Sequence, residues 1–123
     1  MAVSVRYLVD DVETVSAFYV SLLGFREVGD WAGAPFRMLE RGDLVLWVSG
    51  PGSSAGRPMP DGAQPGPGGW NRFVIEVDDI ADDVQRLTAA GVSFRGPIVR
   101  GPGGAQAVLD DPAGNPVELF QPA

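Results

Sequence analysis

The chain has no cysteine and no histidine. The first absence excludes a disulfide framework, a thiolate metal site and a cysteine nucleophile. The second removes imidazole as metal ligand, proton shuttle or triad base. Lysine is missing too, because all nine basic residues are arginines. Schiff-base chemistry and a Walker-type phosphate loop are therefore excluded. Carboxylate, hydroxyl, phenol and guanidinium remain. No apolar run approaches the ~20 residues of a membrane span. The first residues also lack the basic-then-apolar pattern of a secretion signal. A cytoplasmic location without a membrane partner is expected. The net charge of −7 repels phosphate backbones, so nucleic acid is not an expected partner.

With 123 residues, 45% hydrophobic and 20% charged, the chain has the size and composition of one globular domain. Its most informative feature is an internal repeat. Residues 3–12 read VSVRYLVDDV and residues 71–80 read NRFVIEVDDI. Both are β-rich runs ending in Val-Asp-Asp and a β-branched residue. A helical pattern follows each, capped at its start by Asp11 or Asp79 and closed by Gly24 or Gly91. Beyond each glycine the period becomes extended. Strands are expected at Phe25–Trp31, Phe36–Glu40 and Leu44–Val48 in the first copy. In the second they are expected at Val92–Val99, Ala105–Asp110 and Val117–Phe120.

The domain over residues 1–123 thus reads as module one (1–49), a linker (50–69) and module two (70–123). The linker is too rich in glycine and proline for regular structure and reads as a tether. Trp70, directly after it, is expected to pin its end.

Two βαβββ modules, the run DDVETVSAFYVSLLGF and the terminal DPAGNPVELF resemble the vicinal oxygen chelate superfamily, also called the glyoxalase/bleomycin-resistance/extradiol-dioxygenase superfamily. The resemblance covers Val3 to Pro122. It implies an α+β fold, in which each module's strands curl into a half-barrel with its helix on the outer face and the pair of half-barrels forms a cleft. It also implies a homodimer, with module exchange permitted by the linker.

Metal-using members take ligands from the first and last strands of each module. Carried over, those positions are Ser4, Leu46, Arg72 and Glu118, with Leu46 placed by aligning GDLVLWV on GNPVELF. Leucine offers no donor, serine is a weak one, and arginine repels a cation. No metal or other cofactor is therefore expected.

Strand alternation puts Ser4, Arg6 and Leu8 on one face, and likewise Arg72, Val74 and Glu76. Leu44, Leu46 and Val48 are expected to line the cleft, with Trp47 in the core. Phe36, Trp31 and Phe120 are candidate aromatic lining. The expected ligand-binding set is Arg6, Arg72, Glu118, Ser4, Leu46, Phe36, Phe120 and Trp31. Arg72 and Glu118 either brace each other or present a guanidinium to a ligand.

Two function classes follow. One is a metal-independent protein holding an apolar or aromatic small molecule. The other is a lyase or isomerase using Glu118 as catalytic general base, with Arg72 stabilising an oxyanion. A metal-dependent glyoxalase or dioxygenase fits least.

Overall fold

Asp11 and Asp79 begin the two helices, as their positions predict. In the computed structural model, which describes residues 3–123, Asp11 accepts from the Thr14 N–H at 3.2 Å. Asp79 accepts from the Asp82 N–H at 3.0 Å. Each bond satisfies a donor that a first helical turn leaves without an intrahelical partner. The helices run Val12–Leu22 (α1) and Ile80–Ala89 (α2). Gly24 and Gly91 follow with φ of +74° and +90°, the left-handed conformation that closes a helix.

The strands form two four-stranded mixed sheets. The first holds β1 (Val3–Leu8), β2 (Arg26–Val28), β3 (Phe36–Arg41) and β4 (Leu44–Ser49), in the order β1-β4-β3-β2. The second repeats this topology as β5-β8-β7-β6, with β5 at Val74–Glu76, β6 at Val99–Gly101, β7 at Gly104–Asp110 and β8 at Pro116–Pro122. The first and last strands of each module run parallel, and the other pairs are antiparallel. The fold is α+β, two tandem βαβββ modules, and neither sheet closes on itself.

The chain divides between Gly68 and Gly69 into two compact units. In the first, α1 packs on β3 and β4 and buries Val15, Tyr19, Leu39, Leu46 and Val48. The Tyr19 and Phe25 rings meet edge to face at 5.2 Å. In the second, α2 packs on β7 and β8 and buries Ile80, Leu87, Leu109, Val117 and Leu119. Among the described residues no helix is long and apolar enough to cross a membrane.

Three extended runs are shorter than expected. The stretch expected at Phe25–Trp31 is strand only over Arg26–Val28, and Gly29 turns away at φ +83°. Val92–Val99 contributes an isolated bridge, Phe94 to Leu109, and pairing resumes only at Val99. Pro97, between them, has no N–H to give a ladder. Residues 71–80 keep three strand positions, Val74–Glu76.

The glycine- and proline-rich segment differs from a free tether at its start. The Gly50 N–H donates to the Pro35 carbonyl at 2.9 Å, and the buried Ser53 hydroxyl donates to the Gly50 carbonyl at 2.6 Å. A 3₁₀ turn follows at Ser54–Gly56. A Cβ on Gly50 would stand 2.5 Å from Val12 Cγ2, so this stretch sits against the start of α1 because glycine permits the approach.

Asp79→Ala is expected to lower the unfolding free energy by about 1 kcal/mol, read as a shifted urea midpoint at unchanged slope. Asp11 is held below its ordinary value of 3.8 by hydrogen bonds from the Thr14 backbone and then the Thr14 side chain. A carboxyl lowered on folding stabilises the fold above pH 3.8, and that contribution fades as pH falls through the lowered value. Asp11→Asn is expected to remove this component from the acid-unfolding curve.

Candidate binding site

Register decides which side chains each sheet presents on the face its helix leaves open. In the first unit Arg6 pairs with Trp47, and Trp47 with Met38. Directly paired residues share a face. The open face therefore carries Ser4, Arg6 and Leu8 from β1, Trp47 and Ser49 from β4, and Phe36 from β3. The opposite face carries Tyr7, Leu39, Leu46 and Val48, all buried.

Leu46, expected to line a ligand cleft, is instead fully buried on the helix-covered face. Leu44 and Val48 share that face, and Trp47, expected in the core, takes the open one. The cause is hairpin length. Only Gly42 and Asp43 separate the paired Arg41 and Leu44, whereas residues 111–115 separate the paired Asp110 and Pro116. Aligning the glycines slips the register by one, and one residue exchanges every side chain between faces. The counterpart of Glu118, which pairs with Val74, is Trp47, which pairs with Arg6.

The open face of the first unit holds an aromatic cluster. Trp31 and Phe36 meet edge to face at 4.9 Å, and Phe36 and Trp47 at 6.1 Å. The Arg6 guanidinium lies 4.9 Å from the Trp47 ring centroid, within cation–π range, and donates to the Ser49 hydroxyl at 3.2 Å. The Trp31 indole N–H donates to the Val28 carbonyl at 2.6 Å. Arg37 fixes the intervening loop by donating from NH1 to the carbonyls of Trp31, Ala34 and Phe36 at 3.0, 3.1 and 3.0 Å. Three predicted residues, Arg6, Phe36 and Trp31, thus come together, and Ser4 stands exposed on the same face. Sequence reasoning missed Trp47, Ser49 and Arg37. Counting β4 from its parallel partner β1, rather than from the hairpin glycine, would have found the first two.

In the second unit the expected pairing is present. Arg72 donates from Nε and NH2 to Glu118 Oε1 at 3.0 and 2.8 Å, and from NH1 to the Trp70 carbonyl at 3.2 Å. The side chains are 25% and 12% exposed. Phe120 and Glu76, paired with each other, share the face of Glu118.

The terminal motif builds the turn that places Glu118. Asp111 Oδ1 accepts from the Ala113 and Asn115 amides at 2.8 and 2.9 Å, an Asx-type turn. Arg95 ties the same turn to its surroundings, donating to Asp110 at 2.7 Å, Gly114 O at 3.1 Å and Gly69 O at 2.6 Å. Arg95 therefore pins the end of the linker. Trp70, expected in that role, stays 67% exposed with one ring face 4.5 Å from the Arg95 guanidinium.

The family profile described as "Glyoxalase/Bleomycin resistance protein/Dioxygenase superfamily" matches residues 2–119, and the chain belongs to this superfamily. A member of that superfamily from Sphaerobacter thermophilus is 28% identical with a TM-score of 0.79, over 98% of this chain and 96% of its own. TnmS3, an antibiotic binding protein from Streptomyces sp. CB03234, is 28% identical with a TM-score of 0.74, over 100% and 96%. A lactoylglutathione lyase from Agrobacterium tumefaciens shares the fold at 23% identity and a TM-score of 0.75, over 98% and 92%. Comparison with curated proteins gives no match.

The family's metal-ligand positions, corrected for register, hold Ser4 and Trp47 in the first unit and Arg72 and Glu118 in the second. Neither pair fits a divalent cation. Indole N–H is a donor only, guanidinium is cationic, and the single carboxylate already accepts two N–H bonds from Arg72.

Arg72→Ala is expected to cost about 2 kcal/mol by leaving the Glu118 carboxylate unpaired in a mostly buried site. Replacing both residues by methionine is expected to recover most of that loss, measured as a double-mutant cycle in urea.

Proposed function

We propose that this protein binds an apolar, aromatic small molecule without a metal, stacking it on the open sheet face of the first unit. The Trp31–Phe36–Trp47 cluster with Arg6 over Trp47 carries this reading. Aromatic faces beside a few fixed polar groups suit a planar, conjugated ligand. The donor set at the family's metal positions supports the metal-free part. The antibiotic-binding Streptomyces relative supports the class of ligand. The competing enzyme would use Glu118 as general base. Oε1 of Glu118 is occupied by two guanidinium N–H groups, which leaves that role to Oε2.

Titrating intrinsic tryptophan fluorescence with a panel of planar aromatic antibiotics tests this. Saturable quenching is expected, unchanged after chelator treatment, and weakened about fivefold by Trp47→Leu, which removes an aromatic contact worth ~1 kcal/mol. Binding that requires a stoichiometric Zn, Ni, Fe or Mn ion retained through mild purification would overturn the metal-free reading. Turnover of a carbonyl substrate abolished by Glu118→Gln would replace it with the enzyme.

A further inference from the structure

We infer that the ligand of the first unit's open sheet face carries a carboxylate, and that the Arg6 guanidinium receives it. The inference rests on the proposal that this face binds a planar aromatic molecule, and it names the charged group on that molecule. Every residue involved lies between Arg6 and Ser49, within the first compact unit.

Register lays the face out in rows. Val28, Met38, Trp47 and Arg6 pair in succession across β2, β3, β4 and β1, and directly paired residues stand side by side on one face. The row therefore runs from apolar side chains, past the Trp47 ring, to a guanidinium on the edge strand β1. The next row holds Arg26, Glu40 and Val45. Arg26 and Glu40 form an ion pair, so the one carboxylate on the strands of this face is already answered. Arg6 has no such partner among the described residues, whereas Arg26, Arg37, Arg72, Arg86 and Arg95 do. On a chain of net charge −7, these strands thus present two cations against one anion on this face.

Two contacts orient the exposed Arg6. Its guanidinium lies 4.9 Å from the Trp47 ring centroid, and its NH1 donates to the Ser49 hydroxyl at 3.2 Å. A guanidinium has five N–H groups, and that bond uses one. The N–H groups of Nε and NH2 stay open, and they form the fork that takes both oxygens of a carboxylate in parallel. Orienting the fork beforehand reduces the side-chain entropy lost when a ligand arrives.

Charge selects among ligand edges. A cation would meet like charge and compete with Arg6 for the Trp47 ring. A neutral group would gain weaker hydrogen bonds at a guanidinium than a carboxylate does. The chain's overall charge opposes an anion, but that field is screened over ~8 Å at physiological ionic strength. At contact distance the unanswered cation beside the aromatic row prevails. The ligand class is an aromatic carboxylate, its rings against the Trp31–Phe36–Trp47 cluster and its charged edge toward β1.

The probes are 2-naphthoate and 2-naphthamide, which share shape and differ in charge. Each is titrated calorimetrically into the whole protein, with the indole N–H signals of Trp31, Trp47 and Trp70 followed by NMR. Naphthoate is expected to bind at least about threefold tighter, the scale of a solvent-exposed charge pair, and to shift Trp47. Arg6→Met is expected to abolish the preference. Arg6→Lys, which keeps the charge without the fork, is expected to restore part of it. Equal or tighter binding of naphthamide overturns the inference, as does a preference that survives Arg6→Met. If Trp47 still shifts in those cases, the proposed function stands. No binding of either probe, or binding that shifts Trp70 alone, overturns both.

Discussion

A partly buried cation must be answered by an acceptor, and in this protein the answer to Arg72 is Glu118. The two meet from just before β5 and from the middle of β8, through N–H bonds of 3.0 and 2.8 Å. Most of what distinguishes the chain chemically follows from that pairing. Arginine at this position replaces electron-pair donation with proton donation. The carboxylate that completes a metal set elsewhere in the superfamily is spent on orienting a guanidinium.

The scaffold around the pair is built by the residues that make the family visible. Asp111 and Asn115 of the terminal motif shape the hairpin from which β8 departs, and so fix where Glu118 emerges. Asp11 and Asp79 cap their helices shortly after each first strand ends at Leu8 or Glu76. These motif residues carry architecture. The residues proposed to meet a ligand, Arg6 and the Trp31–Phe36–Trp47 cluster, lie on strands and loops of the first unit. One fold can therefore host many activities without changing its signature.

How much was legible follows the same division. Helix caps, closing glycines and the repeat were readable because each depends on local chemistry along the chain. The Arg72–Glu118 contact was one of two readings, and it rested on the family's ligand positions together with strand parity. The face of β4 was not, because parity must be counted from a fixed point, and the Gly42 and Gly114 hairpins differ in length. That one-residue error buried the wrong face, sending Leu46 to the site and Trp47 to the core. The short second-module strands were missed for another reason. β-rich composition in Val92–Val99 outweighed Pro97, whose missing N–H limits pairing. The three carbonyl contacts of Arg37 had no signal in the sequence, since they depend on where a loop of glycine, alanine and proline happens to fold.

Those contacts point to a use of arginine that runs through the molecule. With 17 glycines and 11 prolines, the chain has long stretches whose carbonyls no ladder or helix satisfies, and such groups are costly to leave without partners when shielded from water. Arg37 donates to Trp31, Ala34 and Phe36 carbonyls. Arg41 donates to Leu23 at the end of α1, Arg72 to Trp70, and Arg95 to Gly69 and Gly114. A lysine ammonium would bring a single strongly hydrated point charge on a flexible stem. The planar guanidinium spreads five donors over a rigid fork, so one side chain can bind a carboxylate and a loop carbonyl together. Arg72 and Arg95 both do so. The absence of lysine is therefore matched by a structural role that lysine performs poorly, and the loops so fixed are the ones that position Trp31, Trp70 and Glu118.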